Sequence, residues 1–419
     1  MLPDKKPMPT WRFATLLQAP HRLGFFAAAV VMVMAAGWWW LEILSRTAAT
    51  PSPAVAVPAV FVHALVMSQG FMPLFFVGFL FTAGPKWLQM PELSARSLAK
   101  PVATVASGWL LLLCGASVHH LMAALGAFLA ALGWCTLTWR FVGLVQHSPA
   151  SDRLHASLIA GACVLGAVLM VMAAWGLALA DLGLTRLATL LGLWWFIVPV
   201  FVVVAHRMIP FFTASALPVL DAWRPNWLLW ALLCLAGLQG VWVLTDAMGG
   251  QGLVALSLLR GGSGAVSGLL VLALAVRWGL VQSLRIRLLA MLHIGFVWLG
   301  LALCLDAVSV LLGSVGQAGL GLLPLHALGM GFLASVMMAM VTRVSCGHSG
   351  RTLTADNLVW GLFWGLQAAA LLRLMASLWL AQSTPLLMAA ASVWLVVMGC
   401  WAVRYGRWYG QTRTDGRPG

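Results

Sequence analysis

Two short segments, HALVM beginning at His63 and HALGM beginning at His326, each place a methionine four residues after a histidine. On a regular α-helix such residues stack on one face, so Met67 would lie beside His63 and Met330 beside His326. Thioether and imidazole together suit copper, above all Cu(I), and either group also serves as an axial ligand to haem iron. Met337 extends the second stripe, because eleven residues bring it back to within about 20° of His326. Packing explains methionine stripes equally simply, since Met fills irregular apolar gaps.

A second set of candidates falls at the other ends of the apolar segments. His206 and Arg207 close one, His293 enters another about a turn from its end, and Arg343 and His348 follow the segment that His326 begins. Asp306 and Arg373 lie in the same half as His63 and His326. A buried haem there would find in Arg373 a cationic partner for a propionate, while an Arg373–Asp306 ion pair or snorkelling to the surface are the plainer readings. The adjacent His119 and His120 occupy a tight turn, where histidines ordinarily face water. No carboxylate pair, Ser/His/Asp set, phosphate loop or zinc spacing stands out.

The elements that must hold these residues are membrane helices. A chain of 419 residues that is 62% hydrophobic and only 8% charged has too much apolar surface for a water-soluble globule, whose charged share runs near a quarter. Windows of about 20 apolar residues, the length needed to cross the hydrocarbon core, recur twelve times between 23–44 and 385–403; those at 102–118 and 264–283 are the weakest. The expected fold is all-α, a polytopic transmembrane bundle of about 12 spans. It divides into an N-terminal tail (1–22), a single transmembrane domain (23–405) and a C-terminal tail (406–419).

Charge sets the expected orientation. About 20 of the 24 Lys and Arg fall on the side holding both termini, which the positive-inside rule makes cytoplasmic. The net charge of +14 is therefore a topology signal spread over short loops, and it lacks the clustered basic face that nucleic acid requires. Tryptophans crowd the span ends, among them Trp38, Trp39, Trp40, Trp87, Trp223, Trp227, Trp360 and Trp408, as interfacial anchors do. Seven isolated cysteines without a Cys-x-x-Cys pair exclude covalent c-type haem attachment.

Several longer strings resemble the NnrS family: APHRLGFF before the first span, VHALVMSQGF with GFLFTAGPKW, HRMIPFFT after the sixth, LHIGFVWLGL in the ninth, and LHALGMG followed by TRVSCGHSGRTL. The resemblance covers nearly the whole chain, in the family's order and spacing. It implies a twelve-span protein of the bacterial inner (cytoplasmic) membrane that carries haem and copper and takes part in the response to nitric oxide. It also implies that His63, His293, His326 and His348, with Arg207 and Arg343, belong to the cofactor site, whereas His206 is particular to this sequence. Where the family reads HAHEM, this chain has HALVM, so Leu65 and Val66 replace a histidine and a glutamate.

The resemblance and the candidate ligands together imply a b-type haem protein, with copper below stoichiometry, that protects against nitrosative stress by binding nitric oxide or iron-nitrosyl species. Its metal donors are His63, His326, Met67 and Met330. Two other classes compete. A nitric oxide or oxygen reductase would also be a bundle with intramembrane histidines, but the His-Pro-Glu-Val-Tyr run and the late His-x-His of haem-copper oxidases are absent. A small-solute or metal transporter fits the span number, yet no broken helix pair appears in matching halves.

Overall fold

The computed structural model describes residues 10–47, 55–250 and 253–415. Among these it is all-helical, with twelve helices long and apolar enough to cross a membrane. In chain order they are α1 (Pro20–Thr47), α2 (Ala59–Trp87), α3 (Ala95–Val118), α4 (His120–Gln146), α5 (Leu154–Ala178), α6 (Leu182–Ala216), α7 (Asn226–Ala247), α8 (Val254–Arg277), α9 (Arg287–Ser314), α10 (Leu323–His348), α11 (Asn357–Leu378) and α12 (Leu380–Tyr409). The two weakest windows are thus helices α3 and α8.

Three helices form the centre. The apolar windows of α2, α6 and α10 are 83%, 78% and 78% buried, against 56% or less for all the others except α9. Each is the second member of a consecutive group of four, so the bundle consists of three successive four-helix groups with their second helices inward. The same three carry the π-helical segments of the described residues, at Val66–Gly70, Leu193–Ile197 and Ala327–Leu333. Proline accounts for two of them. Pro73 and Pro199 have no N–H for the carbonyls of Gln69 and Trp195 four residues earlier, and their rings crowd those carbonyls, which pushes the helix toward wider spacing. In α10 the segment contains Gly329 and Gly331, and Trp298 of α9 packs where a Cβ at Gly331 would stand.

Lipid is as apolar as leucine, so close packing and polar contacts must hold the outer helices together. Gly108 of α3 and Gly126 of α4 lie so near the opposite backbone that an added Cβ would run into it. Polar links tie the inner helices: Trp298 donates to Gln367, which donates to Ser335, and Trp401 donates to Thr342. Outward faces carry Leu132, Trp139, Val168 and Leu269, all exposed, as a lipid-facing surface requires.

Both chain ends meet on one side. The Arg12 N–H donates to the Gly410 carbonyl (2.8 Å), and Arg22 donates to the Tyr409 and Gln411 carbonyls. Thr414 in turn bonds Ser349 and Gly350. The tails therefore seal the loop after α10. On this terminal side the anchoring tryptophans also carry arginines: Arg207 sits 4.8 Å over Trp87, Arg277 5.1 Å over Trp223 and Arg351 4.1 Å over Trp408. Interfacial indole and cationic loop thus reinforce each other through cation–π attraction.

Candidate functional site

His63 of α2 and His326 of α10 project from the two central helices in the half of the bundle remote from the termini. The first turn of α10, which carries His326, packs on α11, which carries Arg373, and the fields of both side chains reach His63. His326 Nδ1 donates to the Leu322 carbonyl (2.9 Å), which fixes its tautomer and leaves Nε2 as the bare nitrogen, the arrangement that orients ligating histidines. His63 Nδ1 is buried without a partner. The ring of His63 is stacked on Trp39, with centroids 3.9 Å apart and planes at 26°. Trp39, expected as an interfacial anchor, is thus also a support for a candidate ligand.

Arg373 does not pair with Asp306. Asp306 instead bonds Arg260 (3.3 Å), which also bonds Asp246 (2.8 Å), so one guanidinium of α8 bridges carboxylates from α7 and α9. Arg373 donates to Ser377 on its own helix (2.8 Å), and among the described residues no carboxylate is within ion-pair distance of it. A half-buried cation with no acidic partner among the described residues therefore lies on the helix packed against the turn that carries His326.

Met67 and Met330 lie within the π segments Val66–Gly70 and Ala327–Leu333, whose wider repeat changes the angular offset from His63 and His326 but still leaves residues four apart on one side of the helix. Both are half-buried. Met337 faces elsewhere: with Phe25, Phe75, Phe79, Val204 and Met340 it lines an apolar cavity of about 50 Å³ between α1 and the three central helices.

That cavity leads toward the second set of candidates. Val204 and Met340 of its lining stand three residues before Arg207 and Arg343, and Phe25 four residues after His21. Arg343 lies 3.9 Å over the ring of Phe212, and the next residue, Thr213, bonds His293 Nε2 (3.0 Å), leaving His293 Nδ1 buried and unpartnered. Neither Arg207 nor Arg343 has a carboxylate in ion-pair distance among the described residues. His348 lies against His21, ring centroids 4.5 Å apart, and His21 Nδ1 is again buried and unpartnered.

Sequence reasoning missed His21, although it stands in the APHRLGFF string, because nothing in the spacing joins the first span to the loop after the tenth. His155 was missed too; its Nε2 lies 3.0 Å from Nδ1 of His206. His119 and His120 have structural partners: His119 Nδ1 accepts from the Leu121 N–H and His120 Nδ1 donates to the Leu177 carbonyl.

A profile of the NnrS protein family matches residues 15–413. The chain belongs to the NnrS family. No curated protein matches it. Among the described residues no three His, Cys, Asp or Glu side chains gather into a metal-binding group, so in this NnrS protein no metal centre is complete on those donors alone. Leu65 and Val66, where the sequence departs from HAHEM, are both 1% exposed, packed into protein. What the site does offer is imidazoles with bare nitrogens, half-buried cations lacking acids, and apolar walls.

Proposed function

We propose that this NnrS protein binds b-type haem between its central helices, holds nitric oxide or an iron-nitrosyl species there, and thereby serves the nitrosative-stress response in the bacterial inner membrane with both termini in the cytoplasm. The observation that carries the reading is Arg373 of α11, a cation without a carboxylate, on the helix that packs against the first turn of α10 at His326, with His63 of α2 within their electrostatic reach. Haem is an apolar disc with two anionic propionates. It therefore asks for imidazole, apolar contact and a buried cation in one place.

The residues fit that group. His63 and His326 would hold the haem, one of them through an imidazole–iron bond that leaves a position open, with Trp39 and the Leu322 carbonyl fixing their rings, and Arg373 would neutralise a propionate. Arg207, Arg343, His293, His348 and His21 offer the same elements at the terminal end of the apolar cavity. Bound ferrous haem would supply a coordination position for nitric oxide. The protein's own part is to exclude water and neutralise the propionates.

Copper fits less well. His63 and His326 with Met67 and Met330 are the donors, and Leu65 and Val66 add none, so copper is expected below haem stoichiometry. Binding is favoured over a reductase by the placement of the acids, since reducing nitric oxide consumes protons. Asp306 and Asp246 are held by Arg260, and Glu42, one turn from Trp39, is held by Arg46. The test is an optical titration of purified protein. A Soret band that shifts stoichiometrically with nitric oxide and is lost in His63→Ala and His326→Ala supports the reading. Sustained turnover with an electron donor would favour the reductase, and protein without any haem would favour transport.

A further inference from the structure

His155, at the start of α5, and His206, in the last third of α6, are 6% and 0% exposed and face each other with Nε2 of the first 3.0 Å from Nδ1 of the second. The rings are stacked at 28°. His206 Nε2 lies 3.2 Å from the Pro225 carbonyl, which can only accept, so Nε2 carries the proton and Nδ1 presents its lone pair to His155. A backbone carbonyl that fixes the tautomer from behind is the usual support of a metal-ligating imidazole.

We propose that His155 and His206 form a second metal seat in this protein, separate from the His63–His326 pair, that takes a single Cu(I) ion between their facing nitrogens. Metal–imidazole bonds of about 2 Å reach across the present gap at a bent angle and across about 4 Å when linear, so the rings need part by no more than about 1 Å. His155 accommodates the ion by moving its proton from Nε2 to Nδ1, which is buried and has no partner; no proton is lost and no electron is transferred.

Charge and donor number select the ion. Arg207 and Arg224 act electrostatically on His155 and Asp152 alone among its charged neighbours opposes them, so the surplus of positive charge disfavours a divalent cation more than a monovalent one. No third His, Cys, Asp or Glu completes a group among the described residues. Zn(II) in proteins wants about four ligands, whereas imidazole is a good donor to copper and Cu(I) is content with few ligands. The loop that ends at Pro225 closes the seat, since Arg224 donates to the Arg207 carbonyl (3.2 Å) and Trp278 lies against His206 (6.4 Å).

The full-length protein, purified in detergent and stripped of metal, is titrated anaerobically with Cu(I) against a chromogenic Cu(I) chelator. The wild type should bind one equivalent that survives in the His63→Ala/His326→Ala double variant and disappears in His155→Gln and in His206→Gln. Haem content should be unchanged in the last two, which separates this seat from the haem site and also shows that the variants fold. Independently of the glutamine variants, X-ray absorption of the His63→Ala/His326→Ala double variant loaded with one Cu(I) should show two imidazole nitrogens as the dominant scatterers. Unaltered Cu(I) stoichiometry in both glutamine variants, or a spectrum dominated by sulfur, would overturn the proposal and leave the pair a simple hydrogen bond.

Discussion

Replacing Arg260 by Met should be among the most destabilising single changes in the half of the bundle remote from the termini, because it strands two carboxylates that the guanidinium now neutralises. The guanidinium lies 2.8 Å from Asp246 and 3.3 Å from Asp306. At an effective dielectric of about 20 each such attraction is on the order of 5 kcal/mol before desolvation is counted. Breaking a fully buried pair costs about 3–5 kcal/mol and an exposed one under about 1 kcal/mol. With the three side chains 21%, 32% and 24% exposed, about 2–3 kcal/mol is expected. Adding Asp246→Asn and Asp306→Asn should restore most of it, since the stranded charge is the source of the cost. Stability would be followed by tryptophan fluorescence during SDS unfolding in mixed micelles. A double-mutant cycle between positions 260 and 306 should give a coupling of about 1–2 kcal/mol, and one between 373 and 306 should give less than about 0.5 kcal/mol. The reverse pattern would refute the pairing and return Asp306 to Arg373.

Trp39→Leu removes the ring on which His63 is stacked; haem content measured as pyridine haemochrome should fall while the fold persists, and an unchanged Soret band would show that the stack positions nothing. Gly126→Leu drives a side chain into the α3 backbone and should destabilise by at least about 2 kcal/mol in the same SDS assay; a neutral result would mean the two helices do not approach as closely as described. Asp356 caps α11 by accepting from the Val359 N–H (3.0 Å) and pairs with Arg404. Burial raises its carboxyl, but these two interactions outweigh that and hold it below the ordinary carboxylate range. Its contribution should therefore be complete above about pH 4 and fade as pH falls through the depressed value. Half-exposed as it is, it is worth under about 1 kcal/mol. Asp356→Asn, which keeps a capping oxygen, should flatten that part of the stability profile, and an unchanged profile would locate the dependence elsewhere.

Much was legible in the sequence because lipid imposes a simple code. Twenty apolar residues make a span, and breakers such as Pro225, just before α7, separate them, so twelve helices and the common side of both termini follow from local composition. The strings around His63, Arg207, His293, His326 and His348 likewise identified the family without any coordinates. Contacts between helices were not legible, since helical periodicity says which residues share a face and nothing about which helix that face meets. Asp306 thus pairs with Arg260 rather than Arg373, and His348 and His206 acquire His21 and His155, partners from spans far away in the chain. The π segments also lay beyond the sequence reading. Pro73, Pro199 and the glycines of α10 hint at them, but that the widened turns fall on the three most buried helices, α2, α6 and α10, is a property of the packed bundle.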